Sequence, residues 1–155
     1  MTVNVSVQND DFNVGELYNQ LATDSRSGAV ATFCGLVRDD SGDLKALELE
    51  HYPQMTEKAL HGIVEQAQQR WPLQRVTVIH RVGYLRVNEQ IVFVGVASGH
   101  RDAAFEATRF IMDYLKTRAP FWKKEHYADK THWVEAKQSD DEAAKRWQGS
   151  ESCGD

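Results

Sequence analysis

Four cations and two large aromatic residues surround one proline in the segment Lys116-Thr-Arg-Ala-Pro-Phe-Trp-Lys123-Lys124. Proline cannot continue a helix, and it drives the preceding Ala119 out of the helical region. The residues from 101 to 118 have helical spacing, which predicts Lys116 in a last helical turn and Lys123 in a following extended segment. Cations held together disfavour one another's protonation. A fixed corner of lysines therefore suits an anionic ligand, and it suits proton transfer near neutral pH. The plainer reading is a helix C-terminus neutralised by Lys116 and Arg118, followed by solvated strand lysines. Phe121 and Trp122 between the cations favour a binding site.

Two further segments carry candidate chemistry. Ser98-Gly-His100-Arg101-Asp102 falls where a strand ends and a helix begins. The free N–H groups of a helix start attract anions, and Arg101 would add a bidentate donor for phosphate. Taken alone, a simple serine cap with exposed His100 and Arg101 is the better reading. Gly35-Leu-Val37-Arg38-Asp39 closes an apolar strand, and alternation places Arg38 on the face of Leu36 and Cys34. Alone, Arg38 reads as a rim arginine paired with Asp39 or Asp40. The other histidines, His51, His61, His80, His126 and His132, have no zinc-type spacing, so no metal is expected. His80 reads as a satisfied core or edge residue of a strand. Cys34 reads as a small buried apolar residue, since no base neighbours it.

The elements that must position these groups follow from periodicity. Strands are predicted over residues 3–7, 28–37, 44–52, 75–82, 90–98, 121–127 and 132–136. Helices are predicted over 14–22, capped by Asn13, over 54–71, over 101–118 and, shorter, over 141–147. The 101–118 helix should bury Ala104, Ala107, Ile111 and Leu115. Short turns between neighbouring strands favour an α+β fold, a mixed, largely antiparallel sheet packed with about three main helices. Residues 1–147 form one domain in this reading, and 148–155 a disordered polar tail.

The chain has 155 residues and a formal net charge of -5, which disfavours a general nucleic-acid binder. A basic pocket on an acidic protein points instead to a small anion or an acidic partner segment. The longest apolar run, residues 91–97, is too short to span a bilayer, and no secretory signal is visible at the N-terminus, so a cytoplasmic protein is expected.

Three segments carry a family resemblance. They are Leu49-Glu-His-Tyr-Pro53 with Met55-Thr-Glu-Lys-Ala-Leu60, Val76-Thr-Val-Ile-His80-Arg-Val-Gly83, and Phe110-Ile-Met-Asp-Tyr-Leu-Lys116-Thr-Arg-Ala-Pro-Phe-Trp-Lys123. They resemble the large, catalytic subunit of molybdopterin synthase, over residues 28–147. The resemblance implies sulfur transfer to cyclic pyranopterin monophosphate, giving the dithiolene of molybdopterin, with no further cofactor. Sulfur would arrive as a thiocarboxylate on the C-terminal glycine of a small ubiquitin-like subunit. Two large subunits would form a central homodimer within a heterotetramer. The implied catalytic residues are Lys116 and Lys123. The implied substrate site adds Val37, Arg38, Asp39, His100, Arg101, Lys124 and Glu125. A flexible glycine tail would enter a groove lined by Phe121 and Trp122. Competing readings are a non-catalytic module that docks an acidic peptide or ubiquitin-like protein, and an RNA-binding domain.

Overall fold

The computed structural model describes residues 2–134 and 138–148. Twelve elements follow in order: β1 (Thr2–Gln8), α1 (Val14–Leu21), β2 (Ala29–Leu36), β3 (Ala46–His51), α2 (Met55–Arg70), β4 (Leu73–Arg81), β5 (Gly83–Arg86), β6 (Gln90–Ser98), α3 (Arg101–Arg118), β7 (Phe121–His126), β8 (Thr131–Val134) and α4 (Gln138–Lys145). The α+β class stands, and α2 and α3 are its long helices. The strands, however, divide into two four-stranded sheets. The first runs β1-β4-β6-β2 and the second β5-β3-β7-β8. Only β1–β4 is parallel; every other pair is antiparallel.

The division has a local cause. β4 ends at Arg81 in the first sheet, and β5 begins at Gly83 in the second. Gly83 has φ +97, a region open to glycine at little cost. The Asn9 side-chain amide donates to the Val82 carbonyl at 2.8 Å and holds that bend.

Alternation along β4 sends Val76, Val78 and His80 to one face and Thr77, Ile79 and Arg81 to the other. The first face meets α2 and α3 through Leu60, Ile63, Val64, Ala107, Phe110, Ile111 and Leu115. α1 covers the other face, with Leu17 and Leu21 against Ile79 and Phe93. All four residues of the predicted α3 stripe are buried. α4 begins at Gln138, three residues before its predicted start, and residues 135–137 and 149–155, with the end of the predicted last strand and most of the predicted tail, lie outside the described residues.

An aromatic cluster fixes α3 from behind. Phe110 meets Tyr114 at 4.5 Å, Trp71 at 5.4 Å and Trp147 at 5.4 Å, all edge to face. Such pairs contribute about 0.5–1.5 kcal/mol each beyond burial. Trp147 Nε1 donates to Asp113 at 2.7 Å, and Arg70 donates to the Trp147 carbonyl at 2.9 Å.

The start of α3 is set by close backbone approach. The Gly28 N–H donates to Ser98 O at 2.9 Å, and Ser98 Oγ donates to Pro72 O at 2.7 Å. A Cβ on Gly28 would overlap the Gly99 carbonyl oxygen, whereas one on Gly62, inside α2, would meet nothing. Gly28→Ala should therefore destabilise the fold by about 1–3 kcal/mol, the usual cost of overpacking. Gly62→Ala should stabilise it by about 0.5–1 kcal/mol through helix propensity. Urea denaturation of both variants checks the pair, and equal midpoints would contradict this account.

Candidate active site

α3 ends where Pro120 requires it. Ala119 has left the helical region, with φ −84 and ψ 128. Thr56, buried in the first turn of α2, donates its hydroxyl to the Pro120 carbonyl at 2.9 Å and accepts from the Tyr52 N–H at 3.0 Å. The corner is thereby tied to the start of α2. Lys116 lies in the last turn of α3 and is exposed. Lys123 lies in β7 opposite Leu49 and is partly buried.

The floor of the corner is His80. Its ring stacks on Phe121 with centroids 3.8 Å apart and planes at 20°. The residue is 3% exposed. Its Nδ1 lies 2.8 Å from the Arg81 carbonyl oxygen, which can only accept, so Nδ1 carries the proton and Nε2 the lone pair. Burial pushes its pKa down to about 3, and the charges of Lys116, Lys123 and His51 push the same way. The charges of these three side chains thus act on one neutral imidazole. His51 stands opposite Phe121 in the β3–β7 ladder, and its Nε2 is 3.5 Å from Glu57. Glu57 also accepts from the Gln54 N–H at 2.6 Å at the start of α2.

Strand alternation sorts the remaining positions. Phe121, Lys123 and Glu125 share the inner face of β7, while Trp122 and Lys124 share the outer one. Phe121 and Trp122 therefore do not line one groove, as adjacent strand residues point to opposite sides. Lys124 faces away from Lys123, with its Nζ 5.2 Å from the centre of the Trp133 ring. Glu125 accepts from Tyr127 at 2.8 Å and lies 3.0 Å from His132 Nε2. Arg118 is drawn off to Tyr114, whose ring it covers at 3.8 Å.

The early motif is placed differently from its sequence reading. The β2 register shifts between Gly35 and Leu36, and the strand stops there, so alternation does not carry Arg38 onto the face of Cys34. Val37 is 1% exposed and belongs to the buried cluster of Leu49 and Leu85, which makes it core rather than lining. The Val37 backbone is bonded to the turn before β6, donating to Glu89 O at 2.9 Å and accepting from Asn88 N at 2.8 Å. The Arg38 side chain pairs with Asp40 at 3.1 Å in the open. Asp39 accepts from the N–H groups of Ser41 and Gly42 at 3.1 and 2.9 Å and shapes the turn.

His100 caps α3 through its backbone, without a side-chain cap bond, and both His100 and Arg101 are exposed. α3 is one continuous helix, so the Arg101 and Lys116 backbones stand about 22 Å apart along its axis. Within one chain the charges of Lys116 and Lys123 both act on His80. The same chain does not bring His100 and Arg101 to them. Sequence reasoning read His80 as a satisfied core or edge residue, and the core alternative holds, but it missed the stack on Phe121 and the lysine charges that act on the ring. The visible signal was a polar ring ending an apolar strand run.

The family model described as MoaE protein matches residues 7–118. The chain belongs to this family. It is 62% identical over 138 residues to the molybdopterin synthase catalytic subunit of Escherichia coli K12, covering 88% of this chain and 92% of that one. It is 58% identical over 146 residues to the molybdopterin synthase catalytic subunit of Vibrio cholerae serotype O1, covering 93% and 97%. A solved structure, the molybdopterin biosynthesis MoaE protein from Burkholderia ambifaria, superposes with a TM-score of 0.82 at 47% identity, covering 96% of this chain and 99% of that one. No helix among the described residues is long and apolar enough to cross a membrane.

The neutral state of His80 has a consequence for stability. Its folded pKa lies below the ordinary 6.5, so on acidification the unfolded chain takes up the proton first. The stabilising contribution is complete above pH 6.5 and is lost as pH falls towards about 3. Between pH 6.5 and 5 the loss should reach about 2 kcal/mol, at roughly 1.4 kcal/mol per pH unit. Urea denaturation of wild type and His80→Phe at both pH values measures it. The variant should lose less by about that amount, and parallel losses would refute the assignment.

Proposed function

We propose that this chain is the catalytic subunit of a molybdopterin synthase and acts in the cytoplasm. It transfers sulfur from the thiocarboxylated C-terminus of a small ubiquitin-like subunit to cyclic pyranopterin monophosphate. The observation that carries the reading is the proline corner that puts Lys116 in the last turn of α3 and Lys123 in the strand that follows, with the charges of both acting on one uncharged imidazole. Both reactants are anionic, one through its cyclic phosphate and the other through its thiocarboxylate. Lys116, at the open side, acts as general acid/base or stabilises the charge that develops as the thiocarboxylate attacks the pterin side chain. Lys123, deeper in the corner, assists. Arg38, His100 and Arg101 hold the phosphate, with Asp39 shaping the loop beside Arg38. Glu125 flanks the site on the inner face of β7, whereas Lys124 lies on the outer face and stays outside it. A relative named as a catalytic subunit has at least one other subunit, which supports the small carrier as partner.

In this reading a single chain leaves the site incomplete, and a second copy completes it. β2 is an edge strand of the first sheet. Beside it lies a groove of about 660 Å³, lined by Val30, Phe33, Phe105, Arg109 and Met112 among others. Phe33 and Phe105 are 42% and 65% exposed. This groove is not the lysine corner, since none of its lining residues belongs to the corner. Phe105 lies one turn from Arg101 on α3, so a second copy seated here would lie beside His100 and Arg101. The proposed unit is a homodimer in which His100 and Arg101 of one chain face Lys116 and Lys123 of the other, with a small subunit at each end.

Incubation with the pterin precursor and thiocarboxylated small subunit, with product followed by mass spectrometry, tests the activity. Lys116→Ala should lower turnover at least about 100-fold, the range of a lost general acid/base. Full product formation by this variant would remove Lys116 from its role. Random mixing of Arg101→Ala and Lys116→Ala chains should restore about one quarter of wild-type activity, because half of the dimers carry one intact site. Absence of recovery despite subunit exchange would argue against a shared site.

A further inference from the structure

β3 carries hydrocarbon on its inner face until its last residue. Leu47 and Leu49 join the buried cluster of Val37 and Leu85, and two positions on the row ends in the imidazole of His51. His51 is the ladder partner of Phe121, and Leu49 that of Lys123. His51 is therefore the diagonal neighbour of Lys123 on one face, about 7–8 Å away and within reach of long side chains. Glu125 and His132 share this face but lie beyond Lys123, on the side away from Phe121 and the corner. Tyr52, the residue after His51, and Pro120 are both bonded to the Thr56 hydroxyl, so the end of β3 and the corner keep one spacing.

A carboxylate stands behind the ring. Glu57 Oε1 is 3.5 Å from His51 Nε2, and Glu57 Oε2 accepts from the Gln54 N–H at 2.6 Å. A helix cap needs only the second of these oxygens. Gln54 itself has φ +71 and ψ −44, a costly backbone for a residue with a Cβ and one that persists where its surroundings impose it. A carboxylate only accepts, so beside Glu57 the neutral ring carries its proton on Nε2 and its lone pair on Nδ1. His51 Nδ1 has no partner among the described residues, and the side chain is 22% exposed.

We propose that His51 is the general base that frees the small subunit after sulfur transfer, with Glu57 as its positioning residue. This rests on the function proposed above. Once the thiocarboxylate sulfur has bonded to the pterin, the carrier's acyl group remains on that sulfur as a thioester, and water must cleave it. His51 Nδ1 takes one proton from water as the water oxygen bonds to the acyl carbon. The electron pair of the carbon–sulfur bond leaves with sulfur, which takes the second water proton. The carrier departs as a carboxylate, and the imidazolium returns its proton to solvent. Lys116 and Lys123 meet the anionic reactants as cations, and a cation cannot take a proton. The base is a different group, and His51 stands on the Lys123 face at the corner.

The test uses the full chain with its thiocarboxylated small subunit and the pterin precursor, followed by intact mass spectrometry. His51→Gln keeps a side-chain N–H for Glu57 but is no base. Its kcat should fall at least about 100-fold, the range of a lost general base. KM for the precursor should stay within about threefold, and a covalent adduct of carrier and pterin should accumulate. Glu57→Gln keeps the cap acceptor and loses the charge. Its kcat should fall about tenfold, with the same adduct. An unimpaired His51→Gln overturns the proposal, as does slow turnover with no adduct in either variant. If His51→Gln fails to fold by circular dichroism, Glu57→Gln decides, and wild-type turnover there overturns the proposal. If wild type itself forms no product, the sulfur-transfer reading falls and this role falls with it. Product from wild type beside an unimpaired His51→Gln removes the role of His51 alone.

Discussion

Pro120 has no N–H to extend α3 and denies Ala119 a helical backbone, so the chain must turn just after Lys116 has been presented. A turn defined only by what it forbids would be loose. The hydroxyl of Thr56 removes that freedom by donating to the Pro120 carbonyl from a fully buried position in α2. Phe121 then enters β7 and stacks on His80 of the other sheet. The corner is thus held from α2, from β3 through β7, and from β4. The precision of the lysine pair depends on that triple anchorage more than on either lysine. Neighbouring acids are engaged elsewhere: Glu57 at the start of α2 and Glu125 with Tyr127 and His132.

α3 acts as a rigid spacer between two kinds of basic group. At its start His100 and Arg101 stand in the open, and at its end Lys116 turns to the corner. The aromatic cluster of Trp71, Phe110, Tyr114 and Trp147 packs against this helix along its middle and last turns and resists bending. The straightness that positions Lys116 is the same property that keeps His100 and Arg101 away from it within one chain.

Much of this was legible in the sequence. The α3 stripe of Ala104, Ala107, Ile111 and Leu115, the Asn13 cap and the proline stop all rest on local rules, and the structure bears them out. What escaped depends on contacts between distant segments. The two-sheet division turns on the bend at Gly83 and its brace from Asn9, seventy-odd residues earlier in the chain. The separation of Phe121 from Trp122 follows from alternation and could have been read directly. The role of His80 could not, because its partner Phe121 is forty-one positions away and belongs to the other sheet. The face of Arg38 was misplaced because the register shifts at Gly35 and Leu36, and the glycine within that strand was the available signal of a bulge.

The four tryptophans fall into two optical populations. Trp71 and Trp147 belong to the cluster behind α3, whereas Trp122 and Trp133 stand half-exposed on the outer face of the second sheet, the latter beneath Lys124. The first pair emits from an apolar surrounding and the second from water. A molecule that settles on the outer sheet would shield the red-emitting pair from quenchers such as iodide and leave the blue-emitting pair unaltered, so the protein carries its own spectroscopic gauge of which side has been covered.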